Sequence, residues 1–129
     1  MGSVTAGVYF DFGSDRQFPS VGWNDFVIVI SRWWLAALEA LVREAAESDL
    51  LFMDGPYRIT AIATGPGVLL RCKEVRTGAE VLYEVAVGLE DLKREVVTFA
   101  CQLSNACAQA NIQSTELDKL RRLLARGTH

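Results

Sequence analysis

The sequence predicts an α+β fold: an antiparallel meander sheet of about four to five strands packed against two long helices, with a short C-terminal helix. Three observations carry this. Apolar residues recur at helical spacing up to Ala46, alternate with polar ones between Leu50 and Val87, and return to helical spacing from Leu89.

Val8-Tyr9-Phe10-Asp11-Phe12 is rich in β-forming residues and runs into Gly13-Ser14-Asp15, a turn signal, so it reads as a first strand. Asn24 or Asp25 is a plausible N-cap for a helix reaching Ala46, after which Glu47-Ser48-Asp49 turns polar. The start of that helix is open to two readings. Phe26 to Ile30 is largely β-branched and fits a short strand as well, with Ser31 capping a helix from Arg32. As one helix, Trp34, Leu38, Leu41 and Ala45 share a face, with Arg32, Glu39, Arg43 and Glu47 opposite.

Four strand segments follow: Leu50 to Asp54, Tyr57 to Thr64, Val68 to Glu74 and Glu80 to Val87. Gly55-Pro56, Gly65-Pro66-Gly67 and Thr77-Gly78 separate them as turns. One row of side chains is apolar (Tyr57, Ile59, Ala61, Ala63; Val68, Leu70, Cys72; Val81, Tyr83, Val85, Val87) and suits a face covered by helices. The opposite row carries Arg58, Thr60, Arg71, Lys73, Glu80 and Glu84 and is at least partly wet. Leu92, Val96, Phe99, Leu103, Ala106 and Ala110 stripe the second helix, whose start is favoured by Glu90 and Asp91. Ser114 or Thr115 caps the last helix, striped by Leu117, Leu120 and Leu124.

With 129 residues, 50% apolar and 22% charged, and no repeat or linker composition, residues 1–129 read as one domain whose core needs neither metal nor disulfide. Three cysteines cannot pair completely, and none has zinc-ligand spacing, which fits a reducing cytoplasm. Cys101 and Cys107 read as small core residues of the second helix. Met1 to Ala6 lacks the pattern of a secretory signal, and Ala6 breaks a myristoylation motif. Phe26 to Val42 contains Ser31, Arg32 and Glu39 and is too short for the ~20 residues of a bilayer crossing, so no membrane association is expected.

Chemistry has few footholds. The single histidine is His129, at the end of the sequence, so imidazole-based catalysis and metal ligation are not expected. The sequence contains no Walker loop and no G-x-G-x-x-G, G-x-S-x-G or H-E-x-x-H motif. Asp11 with Asp15, and Glu80 with Glu84, are the carboxylate pairs available for acid-base work, and both also read as solvated surface charge. No catalytic residue, metal or cofactor is expected, and the chain does not read as an enzyme.

Charge says more. The formal charge is −3, from 13 Lys and Arg against 16 Asp and Glu, which argues against direct nucleic-acid binding. Residues 1–113 carry 9 basic and 14 acidic side chains, and residues 114–129 carry 4 and 2. Glu39, Glu44, Glu47, Asp49 and Asp54 face only Arg43 in their stretch, a field suited to steering a basic partner. The same residues also read as a solvated helix face with a Glu39–Arg43 pair. Trp33 and Trp34 point about 100° apart on a helix. Trp34 falls in the apolar face, and Trp33 at its border near Glu44, where an aromatic beside acids suits a partner anchor. Trp23 reads as a staple-like contact closing the core.

Gly22-Trp23-Asn24-Asp25-Phe26, the apolar run ending in Trp33-Trp34, and Phe52-Met53-Asp54-Gly55-Pro56-Tyr57 resemble small immunity proteins of contact-dependent growth inhibition and related polymorphic toxin systems. The resemblance implies a bacterial cytoplasmic toxin inhibitor that works by protein-protein interaction. Such a protein binds the C-terminal domain of one cognate toxin, often a nuclease, and occludes its active site. The partner-binding residues expected on that reading are Trp33, Glu39, Glu44, Glu47, Asp49 and Asp54. The alternative is a small-ligand-binding or enzymatic α+β domain, with Arg58, Arg71 and Lys73 contacting an anion in a pocket between helices and sheet.

Overall fold

The computed structural model describes residues 6–13, 16–20, 23–43, 45–76 and 78–127. Ser14, Asp15, Gly22, Glu44, Thr77 and His129, each used in the sequence reading, lie outside them. The elements run β1 (Ala6–Gly7), β2 (Phe10–Asp11), β3 (Gln17–Phe18), β4 (Asn24–Asp25), α1 (Val27–Val42), β5 (Glu47–Leu51), β6 (Tyr57–Thr64), β7 (Gly67–Val75), β8 (Ala79–Gly88), α2 (Leu89–Gln109) and α3 (Thr115–Gly127). The α+β class and the antiparallel meander match the sequence reading, with β5-β6-β7-β8 as one four-stranded sheet. Of the expected first strand, Val8 to Phe12, only Phe10–Asp11 is strand, β2, which pairs with β3; Ala6–Gly7 before it forms β1, which pairs with β4.

Phe26–Ile30 resolves as helix, since α1 begins at Val27 and Val27 and Ile30 are fully buried in its first turn. Ser31 is therefore no cap. It lies inside the helix, buried, with its hydroxyl unpartnered. Trp34, Leu38 and Leu41 form the buried face as expected, but the helix stops at Val42 and Ala45 lies beyond it. The polar segment Glu47-Ser48-Asp49, expected to end the helix, opens β5 instead. Register explains why. Pairing of Glu47 to Leu51 with Ile62 to Arg58 satisfies the backbone along β6, while Leu50 enters the core and the acids on either side of Ser48 face outward.

The main core joins α1 to one face of the sheet through Leu50, Ile59, Ala61, Val68, Leu70 and Cys72. The space between them is filled by aromatic rings in edge-to-face contact. Phe18 lies 5.8 Å from Phe52 and 5.5 Å from Tyr57, and Trp34 lies 5.3 Å from Phe52. A second cluster of Ile28, Ala100, Cys107, Leu117 and Leu120 seats α3 against α1 and α2. The buried stripe of α2 is thus Leu92, Val96, Ala100 and Cys107, and the expected Ala106 and Ala110 are exposed. Docking of α3 decides this, because it claims the face carrying Ala100 and Cys107.

β7 and β8 pair regularly up to Cys72↔Tyr83 and then shift, so that Lys73 pairs with Val81. This bulge moves Val81 out of the apolar row, and Val81 is 44% exposed. Strict alternation along β8 predicts the opposite.

Candidate functional site

Two outward surfaces concentrate the polar side chains: the face of the sheet turned away from α1, and the outer side of α1 and α3. The open sheet face is built of three rows, each running across all four strands. Register gives Glu47–Ile62–Leu69–Ala86, then Asp49–Thr60–Arg71–Glu84, then Leu51–Arg58–Lys73–Val81. The middle row is bonded at both ends. The Thr60 hydroxyl donates to Asp49 at 2.8 Å, and Arg71 Nε donates to Glu84 at 2.8 Å. Arg58 reaches diagonally to Asp49 at 3.6 Å. Acids therefore lie on the two edge strands and bases on the two central ones, three of each, so the face as a whole balances while its last row is basic.

Arg58, Arg71 and Lys73 thus lie on the side away from the helices. The pocket expected between helices and sheet for an anion is occupied by the aromatic core. The expected pairing of these bases with neighbouring acids holds for Arg71 with Glu84. Glu80 instead lies opposite Glu74, whose carboxylate is held by Arg76 at 2.8 Å.

On the helix side, α3 brings its cations to α1. Arg32 is 3.0 Å from Glu116, Lys119 is 3.6 Å from the same carboxylate, and Arg126 is 3.4 Å from Glu39. Glu39 also holds Arg43 at 2.9 Å, the expected i,i+4 pair. A groove of about 800 Å³ runs between the two helices, and another of about 270 Å³ opens beside it, where α2 adds Lys93. Both grooves are bordered by Arg126 and Leu123.

Five of the six residues expected to bind a partner lie among the described residues, and they are distributed over three regions. Trp33 and Glu39 lie on α1 within the helix surface. Trp33, expected beside acids, lines the larger groove among Arg32, Lys119, Arg122 and Arg126. Glu39 is engaged by two arginines. Glu47 and Asp49 are neighbours on the open sheet face, and Asp54 follows β5 in an exposed loop. Glu44 lies outside the described residues. The early end of α1 accounts for the division: the chain leaves the helix before Glu47 and crosses to the sheet.

The two ends of the resembling motifs meet. Asp25, 1% exposed, accepts hydrogen bonds from Trp23 Nε1 at 3.1 Å, from the Phe26 amide at 2.7 Å, and from the Asp54 amide at 3.2 Å. Trp23 packs edge-on against Tyr57 at 5.1 Å. Gly55 has φ +75°, and a Cβ there would lie 2.8 Å from the Trp23 indole, so this position requires glycine twice over. Trp23–Phe26 and Phe52–Tyr57 thus form one clasp. The expected core-closing contact of Trp23 is part of it, and Asp25 acts as the buried acceptor of the clasp. Sequence reading missed this role, because the bond to residue 54 spans 29 positions without a local motif.

No protein-family model matches the chain, and comparison with curated proteins and with solved structures finds no match. Among the described residues, no group of three or more His, Cys, Asp and Glu side chains is placed to hold a metal ion. Burial pushes the Cys72 thiol up to about 12, which leaves it protonated and unreactive at neutral pH. Hydrogen bonds from Gln17 and from the Gly13 amide hold Asp11, at the β2 turn, below the usual carboxylate range. No helix among the described residues is long and apolar enough to cross a membrane.

Proposed function

We propose that the chain works by covering a partner macromolecule, as a cytoplasmic immunity protein that occludes the active site of a cognate toxin domain, and that the open sheet face is its contact surface. The observation that carries this is the uncovered face itself: twelve register positions on four strands, rigidly backed by the core, with apolar Ile62 and Leu69 at the centre of one row and a bonded polar row beside it. Rigid backing lowers the ordering cost of association, and with Arg58 paired to Asp49 and Arg71 to Glu84, the charges left to meet a partner are Glu47 and Lys73. The sheet face measures roughly 15–20 Å on a side from strand spacing and rise. A standard interface buries about 800 Å² per partner, so the toxin also overlaps the acidic β5 edge at Glu47. The acids steer approach of a basic domain, while shape and the apolar centre hold it.

The experiment is co-expression with the C-terminal domain of the effector encoded directly upstream, read by growth rescue and pull-down. Rescue and capture by the wild type, both lost on Leu69→Arg in a protein that still folds, are the expected result. Failure of the wild type to rescue overturns the immunity reading. Capture unaffected by Leu69→Arg overturns the assignment of this face.

A further inference from the structure

The groove between α1 and α3 lies on the helix side, away from the open sheet face, and its chemistry is of another kind. Ala36 on α1 is small and exposed, which leaves the groove open above an apolar wall formed by Trp33. Trp33 is half-buried, packed on its inner side against the main core, so its ring is presented with little freedom to lose. Arg32, Lys119, Arg122 and Arg126 surround it. Glu116 engages Arg32 and Lys119, and Glu39 engages Arg126, which leaves two cations in excess and Arg122 without an ion-pair partner among the described residues. In a chain of net charge −3, this concentration of cations around one indole favours a multiply charged anion.

We infer that the α1/α3 groove is a binding site for a planar aromatic anion of the nucleoside diphosphate class, with its ring stacked on Trp33 and its charged groups held by Arg122, Lys119 and Arg126. The two parts of the ligand answer to two parts of the groove. An aromatic ring gains stacking on an indole and cation–π contact with the neighbouring guanidinium groups. A diphosphate supplies the two or more negative charges that the excess cations lack, and arginine presents the fork that matches phosphate oxygens. The groove is open along its length and offers about 800 Å³ beside Trp33, room for both parts of the ligand at once. The site rests on the helices, independently of what the sheet face binds.

The test uses the purified full chain and three probes, ADP, inorganic pyrophosphate and adenosine, followed by calorimetry and by tryptophan emission at low salt. ADP is expected to bind at least tenfold more tightly than either pyrophosphate or adenosine and to quench emission. Trp33→Phe is expected to abolish most of the quench, because Trp23 and Trp34 lie outside the groove. Arg122→Glu is expected to weaken ADP by tenfold or more, and raising the salt to weaken it further. Equal binding of ADP and pyrophosphate overturns the ring assignment, and quenching that survives Trp33→Phe does the same. Absence of ADP binding at millimolar concentration overturns the site. Because no toxin is present, none of these outcomes depends on the immunity reading, and Leu69→Arg is expected to leave ADP binding unchanged.

Discussion

The open sheet face and the outer helix face are built from the same residue types and end with opposite electrostatics. On the sheet, antiparallel register places residues 11 to 13 positions apart side by side, and acids at the edges meet bases at the centre. On the helices, α3 returns from the far end of the sequence and lays Lys119, Arg122 and Arg126 beside Arg32 of α1, a helix that offers few acids. Of the acids in the stretch from Glu39 to Asp54 that the structure describes, Glu39 goes to the helix side, Glu47 and Asp49 to β5, and Asp54 to the loop after it. Local charge in sequence became surface charge only where the chain stayed on one element.

Both faces depend on the clasp that ties the N-terminal segment to the loop after β5, and the largest expected effects are there. Gly55→Ala forces a side chain into the Trp23 indole at a left-handed position, and Asp25→Ala leaves the Trp23 and Asp54 donors unpaired. Each is expected to cost about 2–4 kcal/mol, seen in thermal melts as a loss in which tryptophan fluorescence and far-ultraviolet dichroism move together. A melt in which the helices persist after the tryptophan transition would break the view that one core supports both faces.

The same charge reversal on the two faces is expected to differ in size. Arg71→Glu on the sheet removes the bond to Glu84 and places three carboxylates in one cross-strand row, a cost of about 1–2 kcal/mol. Arg122→Glu on α3 relieves an excess of like charge and is expected to change stability by less than about 0.5 kcal/mol. Urea denaturation of both variants checks the contrast, and equal losses would remove it. Salt sharpens it further: added salt should recover part of the Arg71→Glu loss by screening the carboxylates.

The two smallest effects probe the interior that separates the faces. Ser31→Ala removes a buried hydroxyl without a partner and is expected to be neutral or stabilising by up to about 1 kcal/mol. Cys72 lies between the faces with its thiol proton retained to about pH 12, against 9.0 for the ordinary group. The unfolded chain therefore loses that proton first, and stability present below pH 9 declines as pH rises towards 12. Cys72→Ala should flatten that decline relative to wild type in melts across this range.

Much of the fold was legible because periodicity is a local signal. The strands β6 to β8, the long helix α2 and the leucine stripe of α3 follow from spacing alone. What escaped were features set by distant partners. The bulge after Cys72 turned Val81 outward, and docking of α3 left Ala106 and Ala110 exposed while burying Cys107, which the sequence does place in the core. Pairing with β6 drew Glu47 and Asp49 out of the helix. The surfaces were less legible still: Trp33 was placed beside acids because Glu44 is close in azimuth, whereas α3 supplies its actual neighbours. Neither Asn24 nor Asp25 caps α1, whose N-cap is Phe26 without a side-chain bond; Asp25 lies in β4, and its bonds to Trp23 and to the Asp54 amide make it the centre of the clasp.

The proposed division of labour between the two faces is tested most directly by measuring toxin capture and ADP binding in parallel on Leu69→Arg and Arg122→Glu, with folding checked by melting temperature. The account predicts a crossover: Leu69→Arg loses the toxin and keeps ADP, and Arg122→Glu keeps the toxin and loses ADP by tenfold or more. A single variant that abolishes both, or toxin capture that follows Arg122 and ignores Leu69, would contradict it.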